Sequence, residues 1–467
     1  MTQQGWQQPG QGTPTGGPGS GSPYGYASPQ FLGPPPQQGK SNKRTVQWVV
    51  LIIVVVLALV LAGVALFLVL NNDDGGSSAE GSNGTSGSSK GAAKGDAPRT
   101  LPIDYQFNSW LSDGYAAGVG KEWKAAGRAV GTSADRSQIV LAEPRTTDVD
   151  QSGQMVNKAT TAVYDVASGK QVHQFTDLDC YESLPTIDGK LTCTQLLPPG
   201  GKAREAVGQL DVASGKFTAF YNAEFSIQAV QAIGVRDNRL YAHTRSDLGD
   251  FFIVFDLAKP NEIVWQTKDI PTGMTRSCIL VGEHIGCEGL DEVQVFSAKD
   301  GSKELDLKDP ELKHIVWTNE AVIWGDAFAE EFTVSRYDGT EEKTKAFPYS
   351  SGHNDVVMPM QEVLDERGID EFDAEGKAVV KSEGGFGSTK RTFWATGAKL
   401  DVETHETVVS SSDGKVLLSS PISEEKRLIT DDGKQAGKAS KDTELVDGIL
   451  VNEDAANHQS IVYPPAS

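Results

Sequence analysis

Cysteine is scarce in this chain, four in 467 residues, and so is histidine, with seven scattered singly. No Cys-x-x-Cys pair occurs, which excludes the common zinc spacings and leaves His284 as the only imidazole close to a cysteine pair. Bases are outnumbered, 42 Lys and Arg against 63 Asp and Glu, for a formal net charge of -21. A surface of that sign repels nucleic acid and anionic lipid headgroups. Gly-x-Ser-x-Gly, His-Glu-x-x-His and phosphate-loop patterns are missing, so no nucleophile elbow, zincin helix or nucleotide cradle is expected. Carboxylate pairs such as Glu330 and Glu331 are too frequent in so acidic a chain to single out a glycosidase dyad. No catalytic residue, cofactor-binding residue or metal ligand is assigned.

One partial cation motif is present. Asp148-Val149-Asp150-Gln151-Ser152-Gly153 has oxygen ligands at alternate positions and a turn glycine, like the first half of a calcium loop. Its twelfth position is Ala159 where a bidentate Glu is required, so a polar hairpin loop without metal is the better reading.

Long hydrophobic runs are lacking except for one. Trp48 to Leu70 reads WVVLIIVVVLALVLAGVALFLVL with no charge. As a helix it would be about 34 Å long, slightly more than the roughly 30 Å core of a bilayer. The run exceeds a signal-peptide core and has no clean cleavage site after it, so an uncleaved anchor spanning 46–70 is expected. Lys40, Lys43 and Arg44 precede it and Asp73 and Asp74 follow, which places the N-terminus in the cytoplasm and the remainder outside. Residues 1–45 are a Gly/Pro/Gln-rich tail with almost nothing aliphatic to bury, expected to be disordered. That tail resembles those preceding the membrane helix in many actinobacterial membrane proteins. Residues 71–99 have the Gly/Ser composition of a flexible linker.

From residue 100 to 467 no 3.6-residue apolar period is sustained. Short alternating runs recur instead, divided by Gly, Asp and Asn turns, and the expected class is all-β. Ala162–Phe175 (AVYDVASGKQVHQF) and Val207–Phe220 (VGQLDVASGKFTAF) share Asp-Val-Ala-Ser-Gly-Lys. Weaker copies follow, with turn positions at Gly169, Gly215, Pro260, Gly301, Gly339, Gly376 and Gly433. Periods near 40–50 residues point to propeller blades of four strands. The third unit shows all four: QAIGV from Gln231, RLYAHT from Arg239, FFIVFD from Phe251 and IVWQT from Ile263.

The pattern Asp-x-x-Ser-Gly-Lys followed by an aromatic resembles the repeat of pyrroloquinoline-quinone-like, or WD40-like, β-propellers, the group that includes the BamB-like outer-membrane assembly proteins. The resemblance covers most of residues 126–467, where seven such units are counted and an eighth is added, so the extracytoplasmic body is expected to be a propeller of eight blades, alternatively seven. The eighth is built from TELVDGILVNE and SIVYPP, its missing strand coming from Tyr105 to Trp110. Adjacent cysteines, which quinoprotein dehydrogenases of this fold use, are absent, and no cofactor is expected. Four exported cysteines argue for disulfides, with three pairings possible. Aligned on the blades, Cys180 and Cys278 fall on first strands and Cys193 and Cys287 on second strands, which favours Cys180 with Cys193 and Cys278 with Cys287. The function expected is protein binding or assembly in the cell envelope, with an envelope or membrane protein as partner and no nucleic acid. A sensor of an external ligand and an enzyme acting on a cell-wall sugar polymer are the alternatives.

Overall fold

The computed structural model describes residues 98–466, apart from residue 99, short connecting segments at 102–103, 106–109, 150–154, 183–185, 199–200, 247–248, 268–276, 290–291, 309–313, 327–330, 346–355, residue 358, and 365–370, 384–389, 401–405 and 422–423. The run Trp48–Leu70 lies outside the described residues. Among those described, no helix is long and apolar enough to cross a membrane.

Eight antiparallel sheets of four strands follow one another along the chain and make an eight-bladed β-propeller. Blade one is Arg128–Thr132, Gln138–Ala142, Thr161–Asp165 and Gln171–Phe175, counted from the innermost strand outward. Blades two to seven span 178–223, 227–266, 277–308, 314–344, 371–400 and 407–439. Blade eight takes three strands from 443–463 and its outermost, Trp123–Ala126, from the other end of the domain. The core sits between blades. Val207 and Phe220 of blade two share a buried cluster with Ile227, Leu240 and Phe255 of blade three, and Val140 and Val163 of blade one share another with Leu191 and Leu210 of blade two.

The repeated Asp-x-x-Ser-Gly-Lys is the turn between third and fourth strands. Asp165 Oδ1 accepts from Ser168 N and Oγ at 2.8 and 2.6 Å, and Gly169 N donates to Asp165 O at 2.9 Å. Asp211 does the same for Ser214. These bonds stabilise the ionised carboxylates, and both pKa values lie below the usual aspartate value. Gly169 has φ 66°, which an L side chain rarely adopts, and a Cβ there would lie 2.7 Å from the Trp123 ring of the preceding blade. Trp123 Nε1 also donates to Val166 O at 2.8 Å. Trp265 repeats the arrangement against Gly301 and Ala298 O, and His173 packs on Gly215. At these three junctions a ring on the outer strand docks onto the next blade's turn, whereas Gly339 and Gly397 meet no such neighbour among the described residues.

Two sequence expectations are corrected. Closure is made by Trp123–Ala126 pairing with Gln459–Tyr463, not by Tyr105 to Trp110. Asp104–Tyr105 pairs instead with Val356–Val357. The seat against Gly169 selects Trp123, an aromatic with a docking partner. Gly376 lies in the turn between the first two strands of blade six, not the last two, where Gly397 sits. Asp373 Oδ1 accepts from Glu375 N and Lys377 N, so the same turn chemistry occurs in a different hairpin of the blade.

The segment before Trp123 is a strap. Leu101 N donates to Gly376 O, Leu111 N to Ser410 O and Ser112 N to Gly448 O, which crosses the inner turns of blades six, seven and eight in succession. Leu111 and Tyr115, the latter on the 3-10 turn Asp113–Ala117, are fully buried with Val416, Leu428 and Leu450. Disulfides join Cys180 to Cys193 and Cys278 to Cys287, with Cα atoms 4.7 and 4.2 Å apart. Cys278 lies on a first strand directly opposite Cys287 on the second, and Cys180 lies one residue past the first strand of its blade, bridged to Cys193 on the second.

Candidate functional site

Alternation of strand direction sorts the connections onto two faces of the ring. The turns within the inner and outer strand pairs share one face and most are short, such as 237–238, 282–283 and 447–448, the ten-residue 180–189 of blade two being the exception. Connections from second to third strands and from blade to blade leave from the other face, and two of those that are mostly described are long, 143–160 and 197–204. Loops of this length on a rigid scaffold are where binding residues concentrate. The strap enters on the short-turn face, and part of the connection between blades five and six joins it there, Val356–Val357 pairing with Asp104–Tyr105 and Met360 N donating to Asn319 Oδ1 at 3.1 Å on the inner turn of blade five.

Within 143–160 a second small sheet is built, the hairpin Thr146–Val149 with Met155–Lys158. Thr146, Thr147, Asp148, Asn157 and Lys158 are exposed. Thr147 Oγ1 donates to Asn157 Oδ1 at 2.8 Å and Lys158 Nζ pairs with Asp148 at 2.8 Å. The candidate calcium motif begins on the first strand of this hairpin, at Asp148. Asp148 is engaged by Lys158, while Asp150 to Gly153 lie outside the described residues. No group of three or more His, Cys, Asp or Glu is placed to hold a metal ion among the described residues.

The hairpin is rooted on Arg145, whose guanidinium ties three blades. Its Nε donates to Asp179 Oδ2 at 2.7 Å, Nη1 to Glu205 Oε1 at 2.9 Å and Nη2 to Ile227 O at 3.0 Å. Glu205 also accepts from Ser226 Oγ at 3.0 Å and Ile227 N at 2.8 Å, and Asp179 from Tyr181 N at 3.1 Å. Burial works against the charge on Arg145, yet the two carboxylates outweigh it and hold its pKa above the ordinary value. Both carboxylates are buried and already committed to cationic or N–H donors, so the knot positions the hairpin and is not arranged to exchange protons. A second knot lies at blades six and seven. Arg427 Nη2 meets both oxygens of buried Glu406 at 2.8 and 3.0 Å, Ser419 Oγ donates to the same carboxylate, and Arg391 holds Glu406 O at 3.3 Å. Single residues do the same elsewhere: Thr161 Oγ1 donates to Leu178 O and Ser460 Oγ to Gly127 O, each across a blade junction.

The other sequence candidates are structural where they are described. His284 Nδ1 lies 2.6 Å from Glu304 Oε2 and its ring sits 4.5 Å from Tyr337. Glu331 lies 3.9 Å from Lys345, and Glu330 is outside the described residues. His243 is buried against Phe252, and burial pushes its pKa down to about 4, with Arg245 acting in the same direction and Asp250 against it. Sequence reading missed Arg145, Asp179, Glu205, Glu406 and Arg427. Each is a lone polar residue at a strand end, in no repeated motif, and becomes conspicuous only when neighbouring blades meet.

The fold and this face define the class: an eight-bladed β-propeller with a projecting hairpin on its long-connection side. No protein-family model matches the chain, and no curated protein sequence does. Among solved structures, BamB from Moraxella catarrhalis is similar at 9% identity and TM-score 0.36, over 74% of this chain and 99% of that one. A quinohemoprotein alcohol dehydrogenase from Pseudomonas putida gives 9% identity and 0.36 over 77% and 80%. Hsv2 from Kluyveromyces lactis gives 11% and 0.32 over 73% and 91%.

Proposed function

We propose that the chain is a membrane-anchored, extracytoplasmic scaffold that holds a protein partner of the cell envelope on the long-connection face of its propeller. The observation that carries this reading is the asymmetry of the ring. One face is occupied by the entering strap and the Val356–Val357 segment paired with it, and the other bears the exposed hairpin rooted on Arg145. A rigid ring that raises an exposed hairpin on the face away from its strap is suited to present that face to a macromolecule. The anchor Trp48–Leu70 and its flanking charges support the extracytoplasmic placement.

The test is residue-specific photocrosslinking in intact cells of the source organism. A photoreactive side chain at Thr147 should capture a discrete envelope protein, and the same group at Asp237 on the opposite face should not. Equal capture from both positions, or from neither, refutes the face assignment. Protection of the propeller from protease added to spheroplasts refutes its extracytoplasmic placement.

A further inference from the structure

The outer strand of every blade presents an unpaired edge, and natural sheets blunt such edges with charge or brevity. Blades four and five do so heavily, with KELDLK over Lys303–Lys308 and EEKT over Glu341–Thr344. The outer strand of blade six is only Lys399–Leu400, and those of blades seven and eight, Gln435–Ala439 and Trp123–Ala126, each carry a lysine. Blades one and three carry no charge in theirs, QVHQF over Gln171–Phe175 and IVWQ over Ile263–Gln266. Between them runs the longest outer strand, Lys216–Ala223, reading KFTAFYNA with one lysine at its start. Thr218, Ala219 and Asn222 on it are exposed, and Val172 beside it on blade one is 44% exposed.

We infer that this sector docks a second copy of the same chain, with Lys216–Ala223 pairing edge to edge with its counterpart about a two-fold axis. Symmetry is the argument for that occupant. An isologous contact centred on blade two brings blades one and three of each copy against the flanking blades of the other, so the uncharged stretch must extend to both sides of blade two. It does. A different partner would impose no such balance. Charge points the same way, because two chains of net charge -21 repel, and the outer strands of blades one to three carry no acid, the nearest being Glu224 just past the strand of blade two and Glu262, paired with Lys259, just before that of blade three. Pairing would leave Phe220 aside, since it bulges out of register with the third strand and its carbonyl already accepts from Asn261 N at 2.5 Å. The inference rests on the ring alone and stands or falls separately from the envelope reading.

The full-length chain in detergent micelles is measured by light scattering and sedimentation over roughly 1–100 μM, the range in which a moderate interface saturates. A dimer is expected. Thr218→Asp with Ala219→Asp places like charges across the new pair and should raise the dimer dissociation constant at least about tenfold. Val172→Asp should weaken it less, and Glu342→Gln on blade five should leave it unchanged. The substituted side chains are exposed, and an unaltered melting temperature verifies that each variant is folded. A monomer throughout the range, or a dimer indifferent to both Thr218/Ala219 and Val172, overturns the inference.

Discussion

Replacing Tyr115 with Phe isolates what the strap contributes to ring closure. The Tyr115 ring is fully buried between blades seven and eight, and its hydroxyl donates to Tyr463 O while accepting from Leu450 N at 2.9 Å. Phe refills the ring volume, so no cavity forms and only the two polar contacts are lost. An orphaned, buried Leu450 N–H costs about 1–3 kcal/mol and the missing donor bond about 1 kcal/mol more, so about 2–4 kcal/mol is expected. With unfolding entropy of about 2.1 cal/mol/K per residue over roughly 350 residues, the melting temperature should fall by about 3–5 °C at pH 7. The same variant has a second signature. Burial raises the Tyr115 pKa well above 10, with the Leu450 N–H and Arg136 pulling weakly the other way. For a group whose folded pKa is raised, the stability is fully present below the unfolded value near 10 and is lost as pH rises above it. The phenylalanine variant lacks that loss, so the gap between the two proteins should narrow from pH 7 to pH 11. Tyr337, raised by the same cause, remains in both and sets a common alkaline slope. Differential scanning calorimetry at the two pH values reads both effects. A shift below about 1 °C at pH 7, or a gap that does not narrow, refutes the account of the strap.

What the sequence made legible follows the physics of local signals. The Asp-x-x-Ser-Gly-Lys turns could be read because an Asp side chain, a Ser and a left-handed Gly make a complete device within five residues, and the blade period followed from their repetition. The same locality caused the error at Gly376, since Asp373 builds a like turn in the wrong hairpin and nothing in five residues says which strands it joins. Closure was misplaced for the complementary reason. Trp123 is chosen by Gly169 and Val166, 43 residues away from the latter, and neither residue announces that it expects an indole. Arg145 is more remote still from sequence reading, because its three acceptors come from two further blades. The hairpin was anticipated as a polar loop, yet its elevation on a three-blade knot depends on contacts that no local pattern encodes.

Two further outcomes test these contacts. His243, neutral when folded, has a pKa lowered to about 4 from 6.5, so its contribution is present above pH 6.5 and lost as pH falls toward 4. His243→Gln should remove about 3 kcal/mol from the acid slope of stability over that window, measured by denaturant melts at pH 7 and pH 4, and an unchanged slope would contradict the burial argument. Arg145→Ala should be the more damaging change. It strands two carboxylates, Asp179 and Glu205, that are 8% and 4% exposed, and an unpaired buried charge of this kind costs about 3–5 kcal/mol. Arg145→Lys keeps the charge but loses the planar fork that reaches two carboxylates and a carbonyl at once, so recovery should be partial. Protonation offers the discriminating control. If the cost comes from stranded charge, the Ala variant regains part of its deficit as the solution is acidified and the two carboxylates become neutral. If the Arg145 stem only fills space, the deficit does not change with pH. The hairpin supplies an independent readout, because hydrogen exchange at Thr146–Val149 should accelerate in the Ala variant before the blades themselves open. A variant that melts lower at every pH by the same amount, with hairpin exchange unaltered, would show that Arg145 supports packing and does not anchor the hairpin.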